Sequence, residues 1–259
     1  MSRKIEWTQN TWNPTTGCTK ISSGCKHCYA ETMAKRLQAM GVRGYENGFD
    51  LTLLPERLAQ PLKRKKPTLY FVNSMSDLFH EDIPDSFRED VFNVIRQATQ
   101  HEFQLLTKRA GRMVEFFQTR QVPQNAWLGV TVEDKKYGLP RIEHLRRIEV
   151  NIRFLSIEPL LEDVGKINLT GIHWVIVGGE SGPNARPMKK QWVENIQQQC
   201  QQSGVQFFFK QWGRMLMGKN AQKNKMDINS TGKYLMKYLI KCLFMVNGAG
   251  EIRNSVSKN

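Results

Sequence analysis

No apolar run in this sequence reaches the roughly 18–20 residues that a membrane-spanning helix needs. The opening Met1-Ser2-Arg3-Lys4-Ile5-Glu6-Trp7 also lacks the apolar stretch of a secretory signal. Cysteine is scarce and odd in number, five in 259 residues. That argues against a disulfide framework and predicts a reduced, cytoplasmic protein with no membrane partner. No repeat of fixed length recurs, which argues against a solenoid. Composition is 40% hydrophobic and 24% charged, so global disorder and collagen-like structure are excluded, and the length is ample for a buried core.

Acidic residues are in deficit: 24 Asp and Glu against 38 Lys and Arg give a net charge of +14. Such a balance favours a polyanionic partner, because lysine and arginine gain affinity by releasing the counterions of phosphates. Its distribution is uneven. From Gly213 to Asn259 nine Lys and Arg stand against Asp227 and Glu251 alone, so half of the excess lies in this tail. In the body the densest basic run, Lys63-Arg64-Lys65-Lys66, lies between Pro61 and Pro67 and reads either as a solvated loop or as a nucleic-acid contact.

Short apolar runs alternate with segments of helical period. The runs are Thr68–Val72, Glu102–Leu106, Ala126–Val130, Arg153–Leu155, His173–Val177 and Val205–Phe209. Brief β-rich runs bounded by turn residues read as parallel strands buried on both faces. Phe87, Val91, Val94, Ile95 and Ala98 share one helical face, and Trp192, Val193, Ile196 and Cys200 another. An earlier helix is expected from Tyr29 to Met40, and shorter ones after Arg109 and Pro140. This β-α order implies a parallel sheet with right-handed crossovers.

The strand ends favour a barrel over an open sheet. The runs finish in Asn73 and Asp77, Thr107 and Lys108, Thr131 and Glu133, Ser156 and Glu158, Glu180, and Lys210. In a (β/α) barrel the C-terminal strand ends converge on one mouth, where ligands bind. Some of these residues cap the next helix instead.

Three of the cysteines lie in Gly17-Cys18-Thr19-Lys20-Ile21-Ser22-Ser23-Gly24-Cys25-Lys26-His27-Cys28, spaced C-x6-C-x2-C before a helix. Thiolates are soft ligands that suit iron–sulfur clusters or zinc. A structural zinc normally takes four protein ligands. His27 is the only nearby fourth, and it sits between Cys25 and Cys28, where a tight loop points it elsewhere. Three thiolates without a fourth fit a cubane cluster with one iron open to a ligand.

The segment Cys25-Lys26-His27-Cys28-Tyr29-Ala30 resembles the cluster loop of radical S-adenosylmethionine (SAM) enzymes. The stretch from Ile5-Glu6-Trp7 through Trp12-Asn13-Pro14 to Glu31 is similar to a phage-associated family of unknown function with a three-cysteine motif, itself related to that superfamily. The likeness continues through Ser76-Asp77-Leu78-Phe79, Leu106–Arg109, Gly129–Glu133, Ser156–Pro159, Gly178–Gly182 and Lys210–Gly213, roughly residues 5–213.

The resemblance implies a partial (β/α)6, TIM-like barrel over residues 1–213; beyond it the strand–helix rhythm fades, and residues 214–259 read as an irregular basic extension unlike the family's ending. It implies a [4Fe–4S] cluster on Cys18, Cys25 and Cys28 whose open iron chelates SAM. An external electron donor would drive SAM cleavage to a 5′-deoxyadenosyl radical and hydrogen abstraction from a substrate, a nucleic acid or nucleotide being favoured. The superfamily's Gly-Gly-Glu belongs at the second strand end, and here Asn73-Ser74-Met75-Ser76-Asp77 stands there, so Ser74, Ser76 or Asp77 takes over its work. Gly178-Gly179-Glu180 falls about four strands too late.

Thr131 and Glu133 stand where related enzymes hold the SAM ribose, and a helix cap is the alternative. Lys108, Ser156 and Glu158 complete the cofactor candidates. Glu158 either serves acid–base chemistry or pairs with a lysine, Lys108 or Lys210. Arg186 is a candidate phosphate or carboxylate ligand, Trp7 and Trp12 stack on a base or fill the core, and His80 and His173 read as structural. Two other functions fit the cysteines: a zinc protein that binds nucleic acid without catalysis, and an iron–sulfur protein that has lost SAM cleavage. The tail is expected to contribute no site residue.

Overall fold

The computed structural model describes residues 7–182 and 184–213; the extension expected over 214–259 lies outside the described residues. The chain enters through β1 (Asn10–Trp12). It then forms a short antiparallel pair, β2 (Thr15–Thr16) and β3 (Thr52–Leu53), on either side of α1 (Tyr29–Ala39). Next come β4 (Leu69–Val72), α2 (Asp85–Gln97), β5 (Glu102–Thr107), α3 (Ala110–Phe117) and β6 (Ala126–Thr131). The succession ends with α4 (Gly138–Arg146), β7 (Ile152–Ile157), β8 (Trp174–Gly178), α5 (Lys190–Gln202) and β9 (Gln206–Gln211).

Seven strands form one parallel sheet in the order β1-β4-β5-β6-β7-β8-β9. Apart from the small pair, sheet order is therefore chain order. With right-handed crossovers, such an order sends every connection to the same side of the sheet. Helices then cover one face, and the sheet curls around the other as an incomplete barrel, as the polar strand ends foretold.

Side-chain parity separates two cores. Tyr70, Val72, Phe103, Leu105, Leu128, Val130, Leu155, Ile157, Val175 and Val177 face the helices, packing with Val91, Ile95, Met113, Ile142, Val193 and Ile196. Their alternates Leu69, Phe71, Trp127, Phe154, Trp174, Ile176 and Phe208 fill the concave side with Trp7. Both faces are dry, which is why the strands read as continuous apolar runs. Gly129 belongs to the inner set: a Cβ there would lie 2.5 Å from the Phe154 ring, so only glycine leaves room for that ring. Trp7 and Trp12 are both core residues, 3% and 1% exposed.

One crossover departs from the β-α rhythm. Between β7 and β8 the chain forms no helix, so the described residues hold five α-helices rather than six, of which α2 to α5 pack on the sheet and α1 packs in a separate cluster with Tyr45 and Met75. Leu160, Val164, Ile167, Leu169 and Ile172 nonetheless lie in the outer core. Their irregular spacing, broken by Gly165 and Gly171 in left-handed conformations (φ +70° and +72°), fills the helix's place without a helical stripe.

Candidate metal centre

The inner parity, carried past the ends of the strands, selects the residues of the mouth: Lys108 after β5, Thr131 and Glu133 at β6, Ser156 and Glu158 at β7, Gly178 and Glu180 at β8, Lys210 at β9. Across this mouth lies the cysteine loop. It leaves β2 at Gly17, turns through a single 3-10 turn at Ser23–Cys25, and enters α1 with Cys28 as the N-cap residue. All three cysteines are free and half-buried. Cys28 stands at the N-terminus of α1, so the loop ends where the helix begins.

Four strand ends hold the loop. From the end of β4, Ser76 donates its hydroxyl to the Gly17 carbonyl at 2.7 Å, and the Met75 carbonyl accepts the Gly17 N–H at 3.0 Å. Gly17 has φ +79°, and a Cβ on it would strike the Asp50 carbonyl oxygen at 2.1 Å, so glycine is required where the chain turns into Cys18. From β5, Arg109 donates to Thr19 Oγ1 at 2.7 Å and to Cys18 Sγ at 3.5 Å. From β6, Glu133 accepts the Ser22 hydroxyl and Asp134 that of Ser23. Gly24 lets the loop come close, since its Cβ would meet Glu133 Cγ at 3.0 Å. From β8, Glu180 bonds His27 Nδ1 at 3.0 Å and accepts Arg186 Nε–H at 2.9 Å, while Arg186 donates to the Ser23 carbonyl at 3.0 Å. The ring of His27 is thus engaged by Glu180. Buried His80 bonds Thr19 Oγ1 at 2.9 Å, a structural role.

The electrostatics differ along the loop. Burial, then the Asp77 carboxylate, push the Cys18 thiol up to about 11 against the opposing Arg109. Burial also works against ionisation of Cys25, but the Lys108 charge, backbone groups of Ile21 and Ser22 and the Ser22 hydroxyl outweigh it and lower its pKa. Burial raises the Glu180 carboxyl, yet hydrogen bonds from the Arg186 guanidinium and backbone N–H and from His27 bring it down to about 2.

The sequence candidates fall into two groups. Ser74 donates to Asn13 Oδ1 at 3.1 Å, and its carbonyl accepts the Tyr29 hydroxyl. Ser76 holds Gly17, as described. Asp77, 6% exposed, accepts Thr107 Oγ1–H at 2.7 Å and the Lys108 and Phe79 N–H groups, each at 3.1 Å. Glu133 is fully buried and bound by Arg141 at 2.6 Å. These four support the loop and its surroundings. The second group faces the mouth: Lys108 donates to Thr131 Oγ1 at 3.4 Å, Ser156 pairs in register with Thr131, and Glu158 accepts Lys210 Nζ at 2.7 and 2.9 Å. Of the two lysines weighed for Glu158, Lys210 is the one it binds. Arg109, Arg141 and His27 are site residues whose roles sequence reasoning missed; position alone marked Arg109, one step beyond Lys108. A groove of about 730 Å³ between Lys166–Ile172 and Ser203–Val205 lies at the other ends of β8 and β9, away from the cysteines.

Among the described residues no three Cys, His, Asp or Glu side chains converge on a single-ion site. A cubane binds each thiolate on a different iron, so its cysteines stand further apart than the ligands of one ion. The donor set, three soft reduced sulfurs with cationic residues beside two of them, fits a cluster; His27 does not join the cysteines in a single-ion site.

A parallel sheet in chain order, curled into a half-barrel with helices on its outer face, is the partial TIM-like fold of the radical SAM type. The chain belongs to the family described as "Protein of unknown function (DUF5131)", whose model matches residues 2–237 and so extends past the motif resemblance that ends at 213. Among solved structures it is similar to a cysteine-to-serine mutant of spore photoproduct lyase, with a TM-score of 0.50 at 10% identity over 81% of this chain and 79% of that one. A cysteine-to-alanine mutant of spore photoproduct lyase gives 0.47 at 9% identity over 80% and 81%. A double mutant with bound AdoMet and dinucleoside spore photoproduct gives 0.43 at 12% over 76% and 64%. At such identities the likeness concerns the fold. No curated protein matches the sequence, and no helix among the described residues is long and apolar enough to cross a membrane.

Proposed function

We propose that this protein is a radical SAM enzyme of the cytoplasm, with a [4Fe–4S] cluster on Cys18, Cys25 and Cys28 and a nucleic acid or nucleotide as substrate. The observation that carries the reading is the presentation of three free, half-buried cysteines on one loop across the mouth of a radical-SAM-type half-barrel. When bound, the cluster supplies one electron, received from an external donor, to SAM, whose cleavage starts hydrogen abstraction from the substrate. The chain's own residues divide the remaining work. Ser76, Arg109, Glu133 and Glu180 fix the loop, and Asp77 orients Arg109. Lys108, Thr131, Ser156 and Glu158 offer a cation, two hydroxyls and a carboxylate to the cofactor. The inner aromatic cluster closes the barrel beneath them and keeps water out of that side. The half of the +14 net charge that lies outside the 214–259 extension supports a phosphate-bearing substrate. The barrel of residues 1–213 carries these roles, and the basic extension over 214–259 is a separate region.

The test is anaerobic reconstitution with iron and sulfide, reduction in the presence of SAM, and assay for 5′-deoxyadenosine. Formation of the nucleoside, abolished in Cys25→Ala, is the expected result. A fully loaded, reducible cluster that yields none would leave a non-catalytic iron–sulfur protein. Stoichiometric zinc with no iron uptake would overturn the cluster itself.

A further inference from the structure

We infer that Arg109 is a positioning residue that sets the reduction potential of the metal centre through its contact with Cys18; this rests on the reading of Cys18 as a cluster ligand. The guanidinium lies under the loop, 5% exposed, and its donors are fully committed. Nε donates to both Glu81 oxygens at 2.9 and 3.0 Å, one terminal nitrogen to Cys18 Sγ at 3.5 Å and Asp77 at 3.4 Å, the other to the Thr19 carbonyl at 3.2 Å and hydroxyl at 2.7 Å. Its aim is fixed from behind. Arg109 N–H donates to Thr107 Oγ1 at 2.8 Å, and the same hydroxyl donates to Asp77 at 2.7 Å. The end of β5 thus forms a small hydrogen-bonded cradle that, with Glu81 and Thr19, holds the guanidinium against the sulfur.

A ligand sulfur that accepts a hydrogen bond from a buried cation stabilises the more negative, reduced form of its cluster, and so raises the potential. Asp77 and Glu81 flank the same guanidinium and act in the opposite sense. Removing the Arg109 charge leaves both carboxylates uncompensated beside Cys18, so the potential falls. Removing the Glu81 charge, at a half-exposed position on the outer side, moves it the other way by less.

The full chain, reconstituted anaerobically, is titrated with dithionite and followed by electron paramagnetic resonance, wild type beside Arg109→Gln and Glu81→Gln. Arg109→Gln loaded to the wild-type iron content is expected to lower the reduction equilibrium constant at least ten-fold, about 59 mV for one electron, and Glu81→Gln to shift it upward. Equal midpoints in all three loaded proteins overturn the inference. If Arg109→Gln does not fold or load, the upward shift of Glu81→Gln decides: its presence supports the role and its absence overturns it. If wild type takes up no cluster, the functional reading fails by itself. Arg109 is then judged on the metal-free chain, by iodoacetamide alkylation of Cys18 relative to Cys25 with peptide mapping. A ratio lowered about ten-fold in Arg109→Gln sustains the contact with the sulfur, and an unchanged ratio removes it.

Discussion

Replacing Glu180 by glutamine tests how the strand ends hold the cysteine loop. The carboxylate is 4% exposed and joins three partners: the Arg186 guanidinium, the Arg186 backbone N–H at 2.9 Å and His27 Nδ1 at 3.0 Å. Burial raises its pKa, but these partners bring it from the ordinary 4.5 down to about 2. At about 1.36 kcal/mol per unit this corresponds to at most about 3 kcal/mol of folding free energy. Arg186 and His27 are themselves 27% and 28% exposed, so screening reduces the net effect to about 1–2 kcal/mol. Because the folded value lies below the unfolded one, this stabilisation is complete above about pH 4.5 and disappears as pH falls toward 2. Urea unfolding at pH 7 is therefore expected to show Glu180→Gln less stable by about 1–2 kcal/mol, and the gap is expected to narrow by more than half at pH 3. Hydrogen exchange at Ser23–Cys28 should accelerate in the variant, since Arg186 loses the anchor that aims it at the Ser23 carbonyl. Equal stability at pH 7, or a gap that does not depend on pH between 7 and 3, would refute the reasoning.

Gly129→Ala places a methyl group 2.5 Å from the Phe154 ring; overpacking of this kind costs about 1–3 kcal/mol, and an unchanged melting temperature would contradict the inner packing. Glu158→Gln is expected to weaken SAM binding to the loaded protein about ten-fold, or about 1.4 kcal/mol, by calorimetry. An unchanged Kd would place the Glu158–Lys210 pair outside the cofactor's reach. Deleting residues 220–259 is expected to leave iron content and circular dichroism of the remainder intact; loss of the cluster from a folded body would assign the extension a part in the site.

The fold was legible because two physical signals agree along most of the chain. Runs such as Ala126–Thr131 and Trp174–Gly178 are buried on both faces, as parallel strands between helices and a filled interior are. The helices carried clear apolar faces, so Phe87, Val91 and Ile95 announced α2 and Val193, Ile196 and Cys200 announced α5. Two regions lacked either signal. The pair β2–β3 has two residues per strand, too few for alternation to register. The β7–β8 crossover buries Leu160, Val164, Ile167, Leu169 and Ile172 at intervals that fit neither helix nor strand, and its contribution to the core appears only when the sheet behind it is present.

At the site, residue type and parity identified the mouth but not the division of labour within it. Glu133 and Glu158 are both carboxylates of inner parity at the ends of neighbouring strands. What separates them is distance along the chain: Glu133 meets Ser22 and Gly24 more than a hundred positions earlier, whereas Glu158 meets Lys210 and stays 17% exposed to the mouth. The same holds for the basic pair after β5. Lys108 turns inward to Thr131, and Arg109, the next residue, turns under the loop to Cys18. Two adjacent cations thus face different sulfurs from one strand end, Lys108 lowering the pKa of Cys25 and Arg109 opposing the rise at Cys18. A loop with so little regular structure of its own takes its shape from the strand ends beneath it, and those tertiary contacts decide which polar residues remain for a ligand.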